Sequence, residues 1–232
     1  MSKIYSAGDK IITYFEDTSK EIDEYFTKIS YNRKNIYKEY KRTIEELSRT
    51  IFFILCTLCE GNFKNKESKN NLKYMGIKKF NRFSYLEIMI FYLFIATLSV
   101  QQSNFPSPLK LELAKALLDD HWIWLENSKK YSSGIDKIDK LRIRRFKEYK
   151  EVYDIIFVNT NTETWLKGMY ILFDILKDVL HPKKTKENIF DLLPLLSFYT
   201  GSIFSYTPMF IKQIDRTEIV NREKKIKKDA NY

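Results

Sequence analysis

The sequence predicts an all-α fold, a multi-helix bundle of about seven or eight helices that is one unit or two sub-bundles. Three observations carry this. Glycine and proline are scarce, 6 and 5 in 232 residues, whereas a sheet-rich fold of this size needs many turns. Apolar residues recur at alternating spacings of three and four along most of the chain, which gathers them on one stripe of a helix. The 44% hydrophobic content, with 17 Phe and 16 Tyr, is ample for a packed core.

The elements follow in order. Ile11, Phe15, Thr18, Ile22, Tyr25 and Ile29 predict a helix over 9–31, and Tyr37, Tyr40, Ile44, Leu47, Ile51, Ile54 and Leu58 a second over 34–60. The polar stretch 30–35 is either a tight turn or continuous helix. The second stripe suits packing within one chain or between chains equally well. Residues 61–71, polar and Asn-rich, read as a loop after a C′ glycine, Gly61. Ser84 and Glu87 have the spacing of a capping box, which opens a helix to Gln102. Asn104 to Pro108 breaks it, and Ser107 as N-cap with Pro108 at the first helical position starts the next, to Asn127.

The stretch 128–135 is the best internal boundary. It separates an N-terminal region, 1–130, from a C-terminal one, 131–214, with 215–232 as a basic tail; a single domain over 1–214 is the alternative. An amphipathic helix is expected over 136–157, taking the β-like run Ile155 to Val158 as helix. Thr160 and Glu163 form another capping box for a helix over 162–180, which His181-Pro182 stops. A last apolar segment covers 188–214.

Formal net charge is +10. That balance points to phosphate-bearing partners, a nucleic acid or an anionic membrane surface, although abundant Lys, Ile, Asn, Tyr and Phe also follow from an AT-rich coding sequence. Cys56 and Cys59 are the only cysteines, the first ten residues are polar, and there is no Asn-x-Ser/Thr acceptor. These features predict a reducing, cytoplasmic location.

Several constellations invite chemistry. Cys56 and Cys59 match CxxC, but they sit toward the end of an apolar helix, where the dipole disfavours a thiolate, so core packing is the expectation. His121 falls at the centre of the face formed by Leu111, Ala114, Leu117, Leu118, Trp124 and Leu125, as a core histidine or as the centre of an enzymatic or toxin-like site. Asp119 and Asp120 diverge by about 100° on a helix and make a poor metal pair. Nothing in the sequence calls for a cofactor or a metal ion.

The nucleic-acid signal is clearest on the helix over 136–157. Lys137, Lys140, Arg144 and Lys147 form a basic stripe, read either as a solvated face or as phosphate contacts. Arg142 and Arg145 point toward the apolar side with Ile138, Leu141, Tyr149 and Val152, where they either pair with carboxylates or act as phosphate forks. Phe146, Tyr149 and Tyr153 offer stacking surfaces to unpaired bases. Arg222, Lys224 and Lys225 in the tail form a second cluster, read as a weak polyanion contact or a disordered solubilising end.

The segment 189–211 is long enough to cross a membrane. Ser197, Gly201 and Ser205 would let a neighbouring helix approach, while Pro194 and Pro208 argue for a broken core helix instead. No Walker-type or GxGxxG loop is present. The leading expectation is therefore a non-enzymatic basic helical subunit that binds nucleic acid or a nucleoprotein partner. A membrane-associated protein using 189–211 comes next, then an effector or enzyme centred on His121. A protein partner or homo-oligomer suits each of these.

Overall fold

The structure, a computed structural model, describes residues 33–66, 69–70, 81–158, 162–176 and 193–229. The described residues form seven α-helices and no strand: α1 (Arg33–Lys64), α2 (Arg82–Gln102), α3 (Ser107–Asn127), α4 (Ile135–Tyr153), α5 (Thr162–Leu176), α6 (Leu193–Asp215) and α7 (Glu218–Asp229). The all-α bundle is thus the observed architecture. The helix expected over 9–31, Thr160 of the second capping box and the His181-Pro182 stop lie outside the described residues.

Helix α2 organises the bundle. Every residue from Leu86 to Val100 is buried, and the helix is apolar all round, which in a packed protein means partners on all sides. It packs against α1, α3, α4 and α6. Phe91 touches Tyr92, Tyr149, Phe198 and Tyr199, with ring centroids 5.1–5.9 Å apart. Burying a side chain of that size contributes about 1.5–3 kcal/mol. One apolar cluster includes Ile44 and Ile51 of α1, Leu117 of α3, Ile138 of α4, Leu172 of α5, Phe210 of α6 and Val220 of α7.

The expected stripe of α1 holds: Ile44, Leu47 and Ile51 are buried, with Tyr40, Ile54 and Leu58 packed beside them. The helix does not stop at Gly61, however. It continues to Lys64 because Asn62 donates to the Leu58 carbonyl and to Tyr92 Oη, and Phe63 packs on Tyr85. Docking against α2 outweighs the weak helix propensity of one glycine, about 1 kcal/mol.

Helix α2 begins earlier than expected. Asn81, not Ser84, is the N-cap, and its Oδ1 accepts from the Phe83 and Ser84 amides at 3.0 Å each. Glu87 is not a capping residue but a buried ion-pair partner. Helix α3 starts one residue earlier than expected, at Ser107 after Pro106. Helix α4 gives way to a π-helical turn over Asp154–Val158. Gly168 of α5 lies so close to that turn that a Cβ there would come within 3.0 Å of Ile155 Cγ2.

The polar end is not a disordered tail over its described length. Residues Glu218–Asp229 are helical, and Ile219 and Val220 are buried in the core. Those two apolar residues anchor the first turn, and the Lys-rich remainder follows the same helix. In α6, Ser197, Gly201 and Ser205 are all exposed, and a Cβ at Gly201 would meet nothing within 4 Å. No described helix uses that stripe for close approach.

Candidate nucleic-acid interface

Helix α4 sorts its basic residues by phase. Arg145 turns inward, where its Nε lies 3.1 and 3.0 Å from the two Glu87 carboxylate oxygens and its Nη2 2.8 Å from Oε1. Its Nη1 donates to Glu148 at 2.8 Å. Burial pushes the Glu87 carboxyl above the ordinary carboxylate range, against the pull of the Arg145 guanidinium. The phosphate role expected of Arg145 is therefore corrected, because its fork is occupied in the core. Arg142 is also engaged: it pairs with Asp139 and donates to the Leu118 carbonyl at 3.3 Å. Both arginines take the carboxylate-paired alternative.

The outward face differs. Lys137, Lys140 and Arg144 are exposed, and Lys147 is half-buried with an interaction of its own. Lys137 and Lys140 make no ion pair among the described residues. Arg144 Nε stands 3.9 Å from Glu148, at the limit of an ion pair. These three cations line a groove of about 660 Å³ together with Arg82, Phe83, Leu86, Tyr131, Ile138 and Leu141. Among the described residues no carboxylate lines it.

Two helix starts border this groove. Arg82 and Phe83 open α2, and Ser133 and Gly134 precede α4, whose N-terminus has no side-chain cap. Both places are positive ends of a helix dipole. Arg82 is fixed from below by Tyr131, whose ring lies 5.7 Å under the guanidinium and whose hydroxyl donates to the Arg82 carbonyl at 3.0 Å. Leu86, Tyr131 and Ile138 are buried beneath the cations, while Phe83 is 37% exposed.

The expected stacking residues are not the available ones. Tyr149 is buried, Phe146 packs edge-on against Phe94, and Tyr153 accepts from Gln102. Arg82, Phe83 and Tyr131 escape a local reading of the sequence. One signal was there: with Asn81 as N-cap, Arg82 falls in the first turn, where a cation opposes the dipole. The second cluster stands apart from the groove lining. Arg222 pairs with Glu218 at 2.6 Å and lies 5.7 Å over the Tyr40 ring, and Lys224 is exposed on α7. Lys225 lies on α7, its side chain outside the described residues.

Comparison with protein-family models, with curated proteins and with solved structures finds no match.

The remaining constellations read as core. His121 is fully buried, stacked on Trp124 and edge-on to Phe52. Burial, with the nearby Arg142 charge, pushes its pKa down to about 3. Neither ring nitrogen has a hydrogen-bond partner among the described residues. Asp119 is exposed, and Asp120 accepts from Ser48 rather than from the imidazole. Burial pushes the Cys56 thiol up to about 11 and Cys59 well above its ordinary value, which disfavours the thiolate at both. Among the described residues no three His, Cys, Asp or Glu gather as metal ligands. One described helix, α2, is long and apolar enough to cross a membrane, and 89% of its most apolar window is buried inside the bundle.

Proposed function

We propose that this protein is a helical nucleic-acid-binding subunit that holds a phosphate backbone in the groove between the starts of α2 and α4. One observation carries the reading: Arg82, Lys137, Lys140 and Arg144 line a single groove that, among the described residues, no carboxylate lines. Like charges held together repel, and two of these, Arg82 and Lys137, sit in first helical turns, where the dipole adds to the cost. A fold gains nothing from that arrangement unless an anion occupies it. Lys137 to Arg144 spans about 10 Å of helix. That is too wide for one phosphate and suits a chain of them.

The test is Lys137→Glu, Lys140→Glu and Arg144→Glu combined. All three residues are exposed, so the bundle should retain its helical circular dichroism and melt within a few degrees of the unmodified protein. Binding of a fluorescein-labelled oligonucleotide in 50 mM salt should weaken by about a hundredfold or more. An affinity equal to that of the unmodified protein refutes the assignment.

A further inference from the structure

Resting on that reading, we infer that the groove selects unpaired over duplex nucleic acid, because an apolar floor carrying the exposed Phe83 ring lies among the four cations. A duplex offers such a groove mostly phosphates and sugars, since its bases are stacked on one another. The exposed Phe83 ring and the half-buried Leu141 would then lose water without gaining an apolar partner. An unpaired strand supplies both halves of the match: phosphates for the rim, and base faces for the floor. Sequence preference is weak in such a site, because every base has a π-face.

Two details favour a stacking role. Phe83 occupies the first turn of α2, and the cap that Asn81 provides fixes that turn through the Phe83 and Ser84 amides. Its ring is therefore held on a rigid element rather than a loop. Arg82 beside it stands 5.7 Å over the Tyr131 ring, which holds a guanidinium in the same groove. A guanidinium stacks on π-systems as a lysine cannot. The groove volume of about 660 Å³ falls within the range of about 300–1,000 Å³ typical of ligand pockets.

The experiment uses the full chain. Anisotropy titrations would compare labelled 15-nucleotide oligo(dT) and oligo(U) with the same oligo(dT) annealed to its complement, and inorganic polyphosphate would serve as a base-free competitor. The expected result is preference for the unpaired strands by about tenfold or more. Phe83→Ala should weaken oligonucleotide binding by about tenfold and leave polyphosphate competition unchanged, and Phe83→Trp should restore it. Equal affinity for single strand and duplex, or an inert Phe83→Ala, overturns the inference while leaving the phosphate site intact. Failure of every oligonucleotide and of polyphosphate overturns the parent reading instead. Binding confined to anionic phosphatidylserine vesicles overturns both and assigns the apolar floor to lipid chains.

Discussion

Arg144 and Arg145 are neighbours in sequence and opposites in the structure. The Arg145 side chain is 3% exposed and held by two carboxylates, whereas Arg144 is 59% exposed with one carboxylate at the limit of contact. A rotation of about 100° per residue along α4 separates them. On the inner face a cation is a structural element whose neutralisation is built in. On the outer face Lys137 and Lys140 make no ion pair among the described residues, and Arg144 has one carboxylate at the limit of contact. Basic residues in a helix therefore divide by phase into those that build the protein and those that serve it, and a net charge of +10 does not distinguish the two.

The largest effect is expected at the inner ion pair. Arg145→Ala should cost about 3–5 kcal/mol in a denaturant titration, since it leaves the buried Glu87 carboxylate alone, and Glu87→Ala should cost less, since Glu148 still pairs with Arg145. The double replacement Glu87→Leu with Arg145→Met should recover most of that loss. A single variant of native stability would show that the pair is not buried as described.

His121 gives the next effect. Its folded pKa lies near 3 against an ordinary 6.5, so the unfolded chain takes up a proton below pH 6.5 and the folded chain does not until near pH 3. Stability should fall as the pH drops through that window, by about 2 kcal/mol between pH 6.5 and 5. His121→Phe should flatten this part of the acid limb and be neutral or stabilising at pH 7, because it removes buried polar atoms without partners. An unchanged acid limb would place the loss elsewhere.

Two smaller effects sharpen the outer face. Arg144→Glu should weaken oligonucleotide binding about tenfold, the loss expected for one charged contact, with an unchanged melting temperature, in contrast to any change at Arg145. Lys137→Glu should raise stability by about 0.3–1 kcal/mol, because it replaces a cation in the first turn of α4 with an anion, and should weaken binding. Opposite signs for stability and binding at one residue mark a charge placed for a partner; a loss of stability there would indicate a structural role for Lys137.

Much of this was legible in the residues. The three-four stripes of α1 and the two faces of α4 come directly from spacing, and the same rule places His121 at a buried centre and Arg142 and Arg145 inward. What escaped a local reading depends on distant partners. Asn81 and Ser84 are both good caps, and Glu87 three residues after Ser84 favours the latter. Glu87 is instead required by Arg145, 58 residues away, and with the cap misplaced Arg82 and Phe83 fall outside the helix. The groove joins the start of α2 to the face of α4, a juxtaposition that no window of sequence contains. The helix over Glu218–Asp229 was hidden for the same reason: its anchor, Ile219 and Val220, acts through the core rather than through local propensity.

The central claim is that the cations of one groove hold a phosphate chain. Its most direct test is the salt dependence of single-strand binding, measured for the unmodified protein and for the Lys137→Glu, Lys140→Glu, Arg144→Glu variant. With four contacts the logarithm of the affinity should fall with the logarithm of salt concentration at a slope of about −3. The variant should bind far more weakly, with a slope near −0.7, the value for one remaining contact. An equal slope in both proteins would contradict the account and move the binding surface away from α4.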